Sequence, residues 1–171
     1  VPALYNLHVD GLLPGGTSVV GVARRAIQDA EFASGLKRGV EEHSRRPIDP
    51  AFWNDLASRV TYLDGAFDDP QAYFRLADHL TRLDRDRGRA GNRLYYLATP
   101  PSSFPGIVRR LGEAGLYRPG PGGAWARLVI EKPFGRDLAS ARELNRIVNE
   151  VFPESDVFRI DHYLGKETVQ N

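Results

Sequence analysis

Five short apolar runs, rich in β-branched residues, alternate along the chain with segments of helical periodicity. These runs occupy residues 17–23, 60–65, 93–99, 126–132 and 157–162. Each is nearly continuous in its apolar character, which is typical of a strand buried on both faces of a sheet. Strands that alternate with helices form parallel sheets covered by helices on both sides. The sequence therefore predicts an α/β fold with a doubly wound parallel sheet.

The helical segments carry clear start signals. Asp49-Pro50 and Asp69-Pro70 each provide an N-cap carboxylate followed by a proline at the first helical position, and Asp137 predicts a third cap. Apolar residues at helical spacing predict the buried faces of the helices that follow Asp69 and Asp137. The predicted faces are Phe74, Ala77, Leu80 and Leu83 for the first, and Leu138, Ala141, Leu144, Val148 and Val151 for the second.

Composition limits the class of protein. A hydrophobic content of 42%, a charged content of 26% and a net charge of +1 are those of an ordinary globular protein, and they favour neither a nucleic-acid nor a membrane partner. No apolar run approaches the roughly 18 residues of a spanning helix. The absence of cysteine excludes disulfides, zinc ribbons, iron–sulfur clusters and cysteine nucleophiles. We expect a cytoplasmic protein without a metal site.

Ligands of parallel α/β sheets bind beyond the carboxyl ends of the strands. This rule selects the residues that follow each predicted strand as candidates for a site. They are Arg24 and Arg25, Ala66 and Phe67, Thr99, Glu131 and Lys132, and the run from Asp161 to Lys166.

The stretch RIDHYLGK, residues 159–166, is the richest of these candidates. One interpretation is a plain helix start, with Asp161 as the cap and the other polar side chains in solvent. In the other, His162 and Lys166 lie on one face of a helix at the positive end of its dipole, with Tyr163 beside them. An imidazole, a phenol and an ammonium together suit a phosphate monoester. The position at a strand end favours the second interpretation.

Two further candidates are weaker by themselves. Lys132 stands between a predicted strand and Pro133, so it is either a lysine whose stem lies along the strand end or a fixed functional group. Gly135 indicates a tight turn there, with a cis peptide as one way to make it. Arg24 and Arg25 follow the strand after which NAD-binding sheets carry an acid for the ribose, and an arginine there accommodates the 2′-phosphate of NADP. A glycine-rich G-x-G-x-x-G loop is absent from the sequence.

Long stretches of the chain resemble one known family. The matching stretches are PALYNLHVDGLLP, VVGVAR, NRLYYLATPPSSF, VIEKPFGRDLASARELN and FRIDHYLGKETVQN, which run from one end of the chain to the other. The chain closely resembles the N-terminal, Rossmann-like coenzyme-binding domain of the glucose-6-phosphate dehydrogenases. The long motif RIDHYLGKE and the shorter EKPFG make chance a poor explanation.

This resemblance implies roles for individual residues. His162, Tyr163 and Lys166 would hold the sugar phosphate, and Lys132 would contact both glucose 6-phosphate and NADP. Asp161 would orient a catalytic histidine that this chain does not contain. Arg24 would bind the 2′-phosphate of NADP, and the bond before Pro133 would be cis. Ala66 and Phe67 would lie along the coenzyme through their backbone.

The resemblance also implies that parts of the family's domain are missing. The first central strand and the glycine-rich phosphate loop should precede Val1, and the domain with the catalytic histidine should follow Asn171. We therefore expect residues 1–171 to be a partial dinucleotide-binding domain that begins inside a helix and is inactive alone. The parent enzyme would form a homo-oligomer through its missing C-terminal domain.

The expected reaction is oxidation of glucose 6-phosphate to the 6-phosphoglucono-lactone, with hydride passed to NADP, in the pentose phosphate pathway. Two alternatives stay open from the sequence. One is another NADP-dependent dehydrogenase of a phosphorylated substrate; the other is a non-catalytic nucleotide-binding or interaction module. The missing first strand further predicts a gap between strands 17–23 and 93–99, and poor folding of the isolated chain.

Overall fold

The computed structural model describes residues 1–88, 91–118 and 123–161. Strands and helices alternate through these ranges, as the sequence predicts. The helices are α1 (Pro2–Val9), α2 (Asp29–His43), α3 (Pro50–Ala57), α4 (Pro70–Arg87), α5 (Phe104–Glu113) and α6 (Leu138–Val151). The strands are β1 (Val19–Ala23), β2 (Val60–Asp64), β3 (Arg93–Leu97), β4 (Ala126–Glu131) and β5 (Val157–Ile160).

All strand pairs are parallel. β1 pairs with β2, and β3, β4 and β5 form a second sheet in that order. The mixed α/β class with parallel sheets is therefore confirmed, and each predicted strand is present with shorter ends. The gap predicted between residues 17–23 and 93–99 stays a prediction.

Residues Val1–Ala66 form one compact unit. Its core lies between α1, α2 and α3, where Tyr5, Val40 and Leu56 are fully buried and Trp53 nearly so. The buried Tyr5 hydroxyl accepts a hydrogen bond from the backbone N–H of Asp49 at 2.7 Å. That bond gives the phenol oxygen a donor and fixes the start of α3.

The second compact unit begins at Phe67. The middle strand β4 supplies Leu128 and Ile130 to its core, and both are almost completely buried. The Tyr95 ring of β3 meets the Phe152 ring, which follows α6, edge-on at 6.1 Å between centroids. α5 and α6 cover this face of the sheet with a further set of buried side chains. That set is Phe104, Ile107, Val108, Leu111, Leu144, Ile147 and Val148.

The three predicted helix caps are confirmed. The Asp49 carboxylate accepts from the N–H groups of Ala51 and Phe52, and Asp69 accepts from Gln71. Asp137 forms a capping box with Ser140 at the start of α6. Hydrogen bonds from the Ser140 N–H and then the Ser140 hydroxyl lower the pKa of Asp137.

Two predicted apolar faces are wrong in part. α4 buries Ala72, Tyr73 and Leu76, whereas Phe74 is exposed. The other predicted residues of this face, Ala77, Leu80 and Leu83, are half-buried, so Phe74 alone was assigned to the wrong face. Tyr73 lies on the inner face, where its hydroxyl donates to the Phe67 carbonyl at 2.9 Å. On α6, Leu138 is exposed because it is the first residue of the helix.

The loop between β4 and α6 is held close to the helix. Its Lys132–Pro133 peptide bond is cis, as the resemblance implies. Gly135 has φ +124°, and a Cβ there would lie 2.6 Å from the backbone nitrogen of Ala141. The backbone N–H groups of Arg136 and Asp137 donate to the Ser140 hydroxyl at 2.9 and 3.0 Å. The backbone conformation of the loop between β4 and α6 is therefore restricted by close contact with the helix.

Replacing Gly135 tests whether this close contact between the loop and α6 matters for stability. Gly135→Ala, in the intact protein that carries this chain, should lower the free energy of unfolding by at least about 2 kcal/mol, since a side chain meets both an unfavourable φ and helix backbone. The control is Gly106→Ala in α5, where nothing lies within 4 Å of the added Cβ. The control should leave stability unchanged or raise it. Equal denaturation midpoints for the two variants would contradict this description of the loop.

Candidate functional site

Arg24 and Arg25 follow β1 at the carboxyl edge of the first sheet. Ala23, the last residue of β1, lies in register with Asp64, the last residue of β2. Both arginines are exposed. Within residues 1–88, 91–118 and 123–161, the Arg24 guanidinium makes no hydrogen bond or ion pair, whereas Arg25 pairs with Glu31 of α2. An anion can therefore bind Arg24 without breaking an ion pair, whereas at Arg25 it would have to displace Glu31.

The backbone beneath these arginines is anchored to β2. The Tyr62 hydroxyl donates its one hydrogen to the Arg25 carbonyl at 2.5 Å, and the Ala23 carbonyl, at 3.2 Å, shares it. The Tyr62 N–H donates to the Asp29 carboxylate at 2.6 Å, which ties the start of α2 to the same strand. The loop between β1 and α2 is therefore fixed at both ends.

A glycine lets α2 approach β1 closely. The Phe32 ring lies over Gly21, where an added Cβ would come within 2.2 Å of a ring carbon. The same ring lies 5.0 Å from the Tyr62 ring, measured between centroids. These contacts set the height of the first turn of α2 above the strand and hence the position of Glu31 beside Arg25.

Lys132 and Asp161 meet at the carboxyl edge of the second sheet. The register pairs Glu131 with Ile160, so the next residue of each chain segment stands at the same level, and the Lys132 N–H donates to the Ile160 carbonyl at 3.3 Å. The Lys132 ammonium forms an ion pair with the Asp161 carboxylate. The Asp161 side chain is 17% exposed and that of Lys132 is 57% exposed, so the ammonium reaches outward from a shielded carboxylate. Two predicted site residues are thereby brought together.

The sequence did not single out Tyr96, which belongs to the same edge. Its hydroxyl donates to the Glu131 carboxylate on the neighbouring strand. Partial burial and then this hydrogen bond raise the pKa of Tyr96 to about 12. The signal that could have found it is the period of two, which puts Tyr96 and Glu131 on one face of the sheet.

The remaining candidates are placed less completely. The Thr99 hydroxyl oxygen is buried and, among the residues that the structure describes, has no hydrogen-bond partner. The Phe67 carbonyl already accepts from Tyr73, and Ala66, the residue before it, is half-buried. The predicted phosphate-binding residues His162, Tyr163 and Lys166 lie outside the described residues.

The part of the chain that is described holds neither a metal cluster nor a membrane-crossing helix. No group of three or more histidine, aspartate or glutamate side chains is arranged there to hold a metal ion. The His8 Nε2 lies 2.9 Å from an Asp55 carboxylate oxygen, without the geometry of a hydrogen bond. None of the helices in those ranges combines the length and the apolar character that crossing a bilayer requires.

Each unit has parallel strands with helices beside them and charged side chains beyond the carboxyl ends of the strands, which is where α/β domains bind their ligands. The family model described as "Glucose-6-phosphate dehydrogenase, NAD binding domain" matches residues 1–171. The chain belongs to the glucose-6-phosphate dehydrogenase family and matches its NAD(P)-binding domain.

Individual relatives agree with this assignment. The chain is 53% identical over 171 residues to "Glucose-6-phosphate 1-dehydrogenase 2" of Mycobacterium tuberculosis strain H37Rv, covering 100% of this chain and 33% of the relative. It is 43% identical over 173 residues to the enzyme of Chlamydia pneumoniae, covering 100% of the chain and 34% of that relative. A structure titled "Glucose-6-phosphate dehydrogenase in complex with its substrate glucose-6-phosphate" superposes with a TM-score of 0.85 at 35% identity, over 99% of this chain and 34% of the other. The chain thus spans about a third of the length of these relatives.

Proposed function

We propose that this chain is the coenzyme-binding part of an enzyme that oxidises glucose 6-phosphate to the 6-phosphoglucono-lactone with NADP as hydride acceptor. The observation that carries the proposal is the family match over all 171 residues. In this proposal residues 1–171 are a partial dinucleotide-binding domain, and the remaining parts of the enzyme complete the site. The chain alone would bind ligands weakly and would not turn over substrate.

Arg24 is the proposed partner of the NADP 2′-phosphate. Its side chain is exposed beyond β1, and no described residue neutralises its guanidinium. The loop that carries it is held by Tyr62, so little backbone entropy is lost when an anion binds. A planar guanidinium donates two parallel hydrogen bonds to phosphate oxygens. The backbone at Ala66 and Phe67 would lie along the same coenzyme.

Lys132 and Asp161 are the proposed groups at the reacting centre. NADP, when bound, supplies the acceptor for the hydride. Lys132 would orient the sugar by donating to its oxygen atoms, and its ammonium is already exposed for that contact. Asp161 would hold a histidine base from outside this chain in the orientation that removes the hydroxyl proton, a task that needs a shielded carboxylate. The geometry of the Lys132–Asp161 pair supports both roles.

His162, Tyr163 and Lys166 are the proposed clamp for the sugar phosphate. The chain reaches them directly after Asp161, so a sugar held by Lys132 would have its phosphate near this run. An enzyme of NADP and a sugar phosphate would work in the cytoplasm. It would form a homo-oligomer through its C-terminal domain and would need neither a nucleic acid nor a membrane.

Lys166→Ala, made in the intact enzyme, tests the clamp. Loss of one charge-assisted hydrogen bond should weaken binding by roughly 1.5–3 kcal/mol, which raises the KM for glucose 6-phosphate by about ten- to a hundredfold. Steady-state kinetics measure this effect, with Lys37→Ala on the exposed face of α2 as the control. An unchanged KM with a lowered kcat would assign Lys166 to the chemical step instead.

Arg24→Ala tests the coenzyme end of the site. The dissociation constant for NADP should rise by about ten- to a hundredfold while that for NAD stays nearly the same, since only NADP carries the 2′-phosphate. Coenzyme fluorescence titration gives both constants, and Arg45→Ala, another exposed arginine of the same unit, is the control. Equal losses for both coenzymes would show that Arg24 contacts a group that they share.

A further inference from the structure

A cavity of about 290 Å³ opens beside Arg25. It lies between the β1–α2 loop and the N-terminal half of α2. Its walls include Arg25, Ile27, Glu31, Phe32, Leu36 and Arg38. The cavity is thus a small apolar space with two guanidinium groups and one carboxylate at its rim.

Arg25 and Glu31 form the ion pair at this rim. The Arg25 Nη2 donates to the Glu31 Oε1 at 3.0 Å, across six positions of the chain. The side chains are 80% and 54% exposed, respectively. Ion pairs that are this exposed contribute little to stability, because water solvates both groups and salt screens them. Arg25 can therefore change its partner at small cost.

The two ends of this pair are held in different ways. The Arg25 backbone is anchored through its carbonyl by the Tyr62 hydroxyl. Glu31 lies in the first turn of α2, whose position is set by Phe32 against Gly21. The two exposed side chains are left to move, and that of Arg25 can turn away from Glu31 without displacing backbone.

The neighbouring Arg24 has no such counter-ion among the residues described, so the two adjacent arginines are not equivalent. Glu31 removes one positive charge from the edge where the 2′-phosphate of NADP is proposed to bind. Arg25 should bind a dianionic phosphate more strongly than it binds one exposed carboxylate, because charge-assisted, bidentate hydrogen bonds to phosphate are strong.

We propose that Glu31 is a specificity-determining residue. By pairing with Arg25 when no NADP is bound, Glu31 sets how strongly the site prefers a 2′-phosphorylated adenosine over an unphosphorylated one. When NADP binds, Arg25 exchanges Glu31 for the 2′-phosphate and joins Arg24. With NAD there is no phosphate to receive it, and the Arg25–Glu31 pair stays closed. This inference rests on the proposed function, since it takes the coenzyme end of the site to lie at Arg24.

Glu31→Gln in the intact enzyme is the test, because it removes the charge and keeps the size of the side chain. The dissociation constant for NADP should fall by about three- to fivefold at low ionic strength, and that for NAD should not change. The gain should shrink as salt is added. Glu42→Gln, about three turns further along α2, is the matched control and should change neither constant.

A double-mutant cycle with Arg25→Ala identifies the route of the effect. The gain in NADP affinity from Glu31→Gln should largely vanish in the Arg25→Ala background, because residue 25 then has no guanidinium that could bind the 2′-phosphate. An undiminished gain in that background, or a Glu31→Gln variant that behaves like Glu42→Gln, would overturn the inference. Arg24→Ala keeps the two proposals separate, since a normal response of Arg24→Ala with an inert Glu31→Gln rejects only the role of Glu31.

Discussion

Parallel pairing in register is the constraint on which the proposed site depends. In each sheet the paired strands end at the same level, Ala23 beside Asp64 and Glu131 beside Ile160. Because the strands are parallel, the residues that follow them leave the sheet on one edge. Lys132 and Asp161, nearly thirty positions apart in the sequence, form an ion pair for this reason. A slip of one residue in the β4–β5 register would separate them and turn their side chains to different faces.

Each edge is supported by backbone contacts that leave the loops little freedom. Tyr62 and Asp29 fix the loop that presents the arginines, and Ser140 fixes the loop that follows Lys132. Gly21 and Gly135 permit the close approaches on which both arrangements depend. Such support matters for binding, because a group that is already in place loses less entropy when its ligand arrives.

The sequence predicted the order and type of the elements well, because apolar runs and aspartate–proline caps are local signals. It was less successful where tertiary contacts decide. Phe74 was predicted to be buried and Tyr73 was not, since only the fold brings a carbonyl within reach of the Tyr73 hydroxyl. The pairs Tyr96–Glu131 and Arg25–Glu31 were not predicted either. The Tyr96–Glu131 pair depends on strand register, and the Arg25–Glu31 pair depends on the distance between α2 and β1. Neither can be predicted from the spacing of residues along the sequence.

The central claim is that residues at the carboxyl edges of the two sheets bind the coenzyme and the sugar phosphate. A crystal structure of the intact enzyme with NADP and glucose 6-phosphate tests it most directly. The 2′-phosphate should lie within about 3 Å of the Arg24 guanidinium, and the Lys132 ammonium should donate to an oxygen of the sugar. A 2′-phosphate held by other residues, with Lys132 in contact with neither ligand, would contradict the account.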